Sequence, residues 1–249
     1  MTTPRKGNIS DYAVLGFGIW AGFILAILTI GFCTARDPIL HTLAGMAGGL
    51  GYLWIVTCGS LMWRYRNSVR ERVQSYPLDW RLKFVLFATL LALIEEAITT
   101  SMTNLAPQFG ARLGEVYITA SGNYLDVVLF HSVIVLIPEF IAWAWLLSRY
   151  DFSPASVFVL YGLTGTIGET LAFGPQNVAM IGFWVFVYGL MVYLPAYSIP
   201  GDRSATKPRL QHYLLAWLLP LLFTVPVVLV ITKLLHHPGV HFAPIHAAH

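Results

Sequence analysis

The chain has 249 residues, 57% apolar or aromatic and only 11% charged, with a net charge of +3 and a mean hydropathy of +0.67. A soluble domain clothes its surface with roughly a quarter charged residues, so this balance excludes a cytosolic enzyme, a disordered chain and a disulfide-stapled secreted domain. It predicts an all-α, polytopic integral membrane protein built as a single domain over 1–249.

A helix needs about 20 mostly apolar residues to cross a bilayer core of roughly 30 Å. Seven segments meet that need: 12–34, 38–63, 83–107, 125–148, 154–174, 177–199 and 209–235. Between them stand Arg36-Asp37-Pro38, Asp151-Phe152-Ser153-Pro154, Gly174-Pro175 and Pro200-Gly201-Asp202, which cannot continue a helix. The charged lead before 12–34 is that of a signal peptide, but the apolar run is too long and no small-x-small site follows, which predicts a retained anchor. Cys33 and Cys58 fall toward opposite membrane faces, beyond disulfide reach, and read as packing residues.

Lys and Arg concentrate on the cytoplasmic side of membrane proteins. With the N-terminus inside, that side carries Arg5, Lys6, Arg64, Arg66, Arg70, Arg72, Arg81, Lys83, Arg149, Arg203, Lys207 and Arg209, and the other only Arg36, Arg112 and Lys233. The bias predicts a cytoplasmic N-terminus and an extracytoplasmic C-terminus. It also accounts for the positive charge without a nucleic-acid partner, and it makes 64–83 a basic, lipid-facing inner loop.

Five acids lie inside predicted spans: Glu95, Glu96, Asp126, Glu139 and Glu169. A buried acid costs a few kcal/mol on insertion scales and is read first as functional. Glu95, Glu96 and Glu139 fall near the midplane and Glu169 and His131 further out, while Asp126, at the outer mouth, is set aside as solvated by water. Residues three, four or seven apart share a helix face. Glu96, Thr99, Thr100 and Thr103 therefore form a stripe flanked by Glu95 and Asn104, which must look into the bundle. His131 is offset from Glu139 by about 80° and ~12 Å along one helix, so it is expected to meet Glu96 or Glu169 from a neighbouring helix.

The fifth span reads Gly162-Leu163-Thr164-Gly165-Thr166-Ile167-Gly168-Glu169-Thr170, whose small residues allow a close helix crossing. Pro138 removes a backbone donor beside Glu139 and predicts a kink there. The outer loop 108–124 is expected either to cover the acids or to lie as an interfacial helix anchored by tyrosines.

Adjacent carboxyls in a low dielectric cannot both ionise cheaply, so Glu95 and Glu96 should act as a coupled unit. Three chemistries follow. Glu96, His131, Glu139 and Glu169 could hold a divalent metal that activates water; a Glu could itself be the base; or the same acids could carry protons or cations across the bilayer.

The Glu95-Glu96 pair with a later His131 resembles the glutamate-type intramembrane proteases of the CAAX-processing group at two positions. The likeness implies water activation by Glu95 or Glu96 and oxyanion stabilisation by His131. That family's Arg is replaced here by Thr100, its Phe by Val127, and its third motif is missing, so the chain is not assigned to it. Lys233 invites comparison with the retinal lysine of rhodopsins, yet it falls at the end of the last span, where it would snorkel to the interface. His41 and His131 offer a weak bis-histidine haem pair, and His212 has no evident partner. The tail, with His236, His237, His241, His246 and His249, fits no metal-ligand spacing. Nucleotide-binding glycine patterns, Gly-x-Ser-x-Gly and internal repeats are absent from the sequence.

The sequence thus favours a membrane-embedded enzyme of hydrolase type acting on a hydrophobic or membrane-resident substrate. Glu95, Glu96 and His131 would be catalytic, and Thr99, Thr100 and Asn104 would contact substrate. A proton- or cation-coupled transporter is the alternative; an accessory subunit binding a partner helix, lipid, haem or pigment is the third.

Overall fold

The computed structural model describes residues 9–236 together with 239 and 242. Arg5 and Lys6 of the inner charge count, and His237, His241, His246 and His249 of the tail, lie outside the described residues. The described chain is all-α: α1 (Ile9–Thr34), α2 (Pro38–Ser75), α3 (Trp80–Asn104), α4 (Tyr124–His131), α5 (Val133–Leu147), α6 (Pro154–Phe173), α7 (Pro175–Tyr197) and α8 (Leu210–Leu234). Five of these, α1, α2, α6, α7 and α8, are long and apolar enough to cross a membrane, and α4 with α5 makes a sixth if that bent pair is one span. This is the build of a multi-pass membrane protein.

The helix starts follow from local chemistry. Asp37 accepts from the amides of Ile39 and Leu40 with Pro38 in the first turn, and Ser153 caps α6 in the same way with Pro154 behind it. In each case a short polar side chain satisfies amides that the helix leaves open, and the proline sits where its missing N–H costs nothing. Asp79 caps α3 and Asn123 caps α4.

Two expectations are corrected. The segment after residue 63 is not a loop: α2 continues as helix to Ser75, carrying its arginines clear of the apolar span, and the Gln74 amide donates to the carbonyls of Ser198 and Ile199. The fourth span does not break at Pro138, which lies within α5. It breaks at Ser132, whose φ −119° and ψ −86° leave the helical region, turning α5 by 46° from α4. Pro138 forfeits one helical bond and is accommodated; the wide turn at Val127–His131 makes Ser132 the point of failure.

The core lies among α2, α3, α5, α6 and α7, around Trp54, Phe84, Phe140, Trp143, Tyr161 and Phe183. Helices α1 and α8 flank it and expose most of their apolar side chains, such as Ile19, Phe23, Leu214 and Leu222, as lipid-facing helices do. The tightest crossing joins α6 to α7. A Cβ at Gly162 would meet the backbone of Val185, and one at Gly165 would enter the Tyr188 ring. These glycines are the close-approach string read in the sequence. Cys33 and Cys58 are both free thiols.

Candidate functional site

Four buried or partly buried acids converge from α3, α5 and α6. On α3, Glu95 and Glu96 are only 4% and 8% exposed, so the polar stripe looks inward. Glu95, Glu96 and Glu169 lie near enough to feel one another's charge. Glu139, 5% exposed, is joined to them by Tyr161, whose phenol lies against Glu139 and within electrostatic reach of Glu95. Glu95, Glu96 and Glu169 therefore share one neighbourhood, with Glu139 linked to it through Tyr161.

The partners of these acids differ in kind. Thr99 Oγ1 donates to Glu95 Oε1 at 2.8 Å, one helical turn away. Tyr188 of α7 donates its phenolic proton to Glu169. The hydroxyls of Ser132 and Thr119 lie beside the Glu96 carboxyl, yet Glu96 Oε2 is buried with no hydrogen bond among the described residues. Thr100 Oγ1, Thr103 Oγ1, Tyr161 Oη, Glu139 Oε2 and Trp143 Nε1 are buried in the same condition. Buried polar atoms are normally satisfied, so the open atoms on Glu96, Thr100, Thr103, Glu139 and Tyr161 mark polar positions inside the bundle, whereas Trp143 packs edge-on against Phe152.

Ser132, whose hydroxyl lies beside Glu96, stands at the break between α4 and α5. Thr119 reaches Glu96 because the loop 105–123 folds onto the bundle. Ala106, Ala111 and Val116 pack against Met46 in a small apolar cluster, Thr42 Oγ1 donates to the carbonyl of Phe109, and Thr119, Ala120 and Ser121 are buried. Of the two forms expected for this loop, the structure has the cover.

Some predicted residues are placed elsewhere. His131 Nε2 lies 3.5 Å from Asp126 Oδ2, and both side chains are largely buried, at 11% and 15% exposure. Asp126 is thus largely buried against His131 and not an acid left to water. Asn104 is exposed, and its amide donates to the carbonyl of Gly122 at 2.8 Å, tying down the loop. Thr99 and Thr100 are buried along the stripe. His212 does have partners: it stacks on Tyr150 with ring centroids 4.0 Å apart, and its Nδ1 accepts from the Arg209 amide to cap α8. His41 stacks on Phe32, so a haem between His41 and His131 would displace both rings from present neighbours. Lys233 is exposed on the last turn of α8.

Sequence reasoning missed Tyr161, Tyr188, Thr119, Ser132's hydroxyl and Asp126. Tyr188 had one available signal, since a buried acid on a glycine-lined face needs a donor from the helix that approaches it.

No set of three or more His, Cys, Asp or Glu side chains is grouped as metal ligands among the described residues. Comparison with known protein families, with curated proteins and with solved structures finds no match to this chain.

Proposed function

We propose that this chain is an intramembrane enzyme of hydrolase type in which Glu96 is the general base that activates water. The observation that carries the reading is Glu96 Oε2: a buried carboxyl oxygen with no hydrogen bond among the described residues, flanked by the hydroxyls of Thr119 and Ser132. A water held there would have two hydroxyls to order it and a carboxylate to take its proton, the geometry that acid–base catalysis requires. Glu95 beside it and the Glu169–Tyr188 pair form a reservoir in which that proton can be shared. His131 is paired with Asp126 and is given no part in this step.

The metal-assisted version is less favoured by geometry. Three of its four proposed ligands face other partners, His131 facing Asp126, Glu139 lying against Tyr161 and Glu169 accepting from Tyr188. The transporter version needs a polar path to both faces. Toward the basic face, α3 buries Phe84, Ala88, Leu91 and Ala92 and α5 buries Phe140, Leu146 and Leu147, an apolar plug below the acids.

The reading includes seven crossings with the N-terminus on the basic, cytoplasmic side. It is supported by the 25 residues of α3, by the bent α4–α5 pair, and by the lopsided distribution of Lys and Arg. The substrate would be hydrophobic or membrane-resident and enter beneath the loop 105–123.

The test is reconstitution of the full chain in nanodiscs with a panel of lipid-like esters, amides and short apolar peptides, followed by incorporation of labelled oxygen from water. Label in the product with wild type and none with Glu96→Gln supports the enzyme. Uptake of protons or cations into proteoliposomes without turnover supports the transporter, and a stoichiometric metal lost in Glu96→Gln supports the metal-assisted version.

A further inference from the structure

The opposite, basic end of the bundle holds a second site that the acids do not use. Two chambers adjoin there. The first, about 910 Å³, is walled mostly by apolar and aromatic side chains of α1, α2, α6 and α7, among them Ile55, Trp63, Phe158, Phe186 and Leu190, and also carries Arg64. The second, about 1270 Å³, is polar and carries Arg70, Arg203 and Lys207. Asp11, Ser153, Pro154 and Tyr197 line both, so the chambers form one cleft with an apolar arm and a cationic arm.

Two cations are held in position by the rings of this wall, Arg70 in the lining of the polar chamber and Arg66 behind the aromatic side chains of the apolar one. The Arg66 guanidinium lies 3.5 Å over the Trp63 ring and 5.8 Å from that of Tyr197, and Arg70 lies 5.7 Å from Tyr197. Tyr197 is itself fixed by donating to Asn67 Oδ1 at 2.7 Å. Stacking on aromatic faces orients a guanidinium and leaves its N–H edge for an acceptor. Arg66 also has the Tyr193 phenol beside it, but its Nη1 is buried with no hydrogen bond among the described residues. Of the acids nearby, Asp151 is taken by Arg203, and Asp11 lines the shared wall.

We propose that this cleft binds an anionic phospholipid of the leaflet at the basic face. One acyl chain lies in the apolar arm, and the phosphate is held by Arg70 and Lys207, which line the polar arm. Charge complementarity selects this occupant, since an uncharged lipid leaves the oriented guanidinium edges unanswered and a free anion leaves the apolar arm empty. The volume of the apolar arm is within the range of small-molecule sites.

The test is native mass spectrometry and thermal unfolding of the full chain in detergent with dioleoyl phosphatidylglycerol, dioleoyl phosphatidylcholine or inorganic phosphate. The phosphatidylglycerol should bind at least tenfold tighter than the phosphatidylcholine and raise the melting temperature. Arg70→Gln and Lys207→Gln should each weaken it by about fivefold, the worth of one basic residue near a charged lipid surface. Ala155→Phe, which adds bulk to the apolar arm and changes no charged residue, should weaken phosphatidylglycerol binding as well, and the wild-type lipid comparison stands even if a charge variant does not fold. Equal binding of the two lipids overturns the proposal. So does displacement of phosphatidylglycerol by millimolar inorganic phosphate with Ala155→Phe unaffected, which would make the site one for a small anion.

Discussion

Tyr188 and Glu169 meet across the α6–α7 crossing only because Gly165 gives the tyrosine ring the space where a side chain would otherwise stand. One glycine thus places a proton donor on an acid in the apolar interior. Packing and chemistry are coupled at this point, and each can be perturbed separately.

Tyr188→Phe removes the donor and keeps the ring. Leaving the Glu169 carboxyl without its partner costs about 1–3 kcal/mol, to be read as a lowered melting temperature in detergent. Gly165→Leu drives a side chain into the ring and should cost at least as much, while Gly168→Ala, which meets nothing within 4 Å, should be neutral or slightly stabilising.

Glu96→Gln keeps the shape of the side chain and can still accept from the hydroxyls beside it. Its melting temperature should change little, while labelled-oxygen turnover falls by about 10²–10⁴-fold, the usual worth of general acid–base catalysis. Glu139→Gln, one tyrosine removed from the cluster, should retain most of the turnover.

The bend between α4 and α5 belongs to Ser132. Spin labels at the exposed positions Leu125 and Ile141 should report the same distance in Pro138→Ala as in the parent protein. A longer distance in Pro138→Ala would return the kink to the proline.

Whether α3 crosses the membrane can be read from its two ends. Tyr76 and Tyr117 are 65% and 38% exposed and stand in the connections before and after α3. In a chain with Cys33 and Cys58 replaced by Ser, cysteines at these positions should react with an impermeant thiol reagent from opposite sides of sealed vesicles. Labelling from one side only would remove α3 from the spans.

The sequence by itself determined the all-α membrane character, because an excess of apolar residues with few charges admits no other solvent for the chain. It also determined the helix starts at Pro38 and Pro154, where capping side chain and proline act within a few residues. The inward direction of the Glu96–Thr103 stripe was legible too, since helical period and the cost of burying acids in lipid leave it only one way to face. The tertiary structure decided what each acid touches. Tyr188, Tyr161 and Thr119 come from remote segments, and no periodicity links position 169 to 188 or 96 to 119. It moved the break from Pro138 to Ser132, because a proline's lost hydrogen bond is tolerated in a well-packed helix, whereas the wide turn before Ser132 redirects the chain. It also set Asp126 against His131, because the widened turn over Val127–His131 brings positions five apart onto one face.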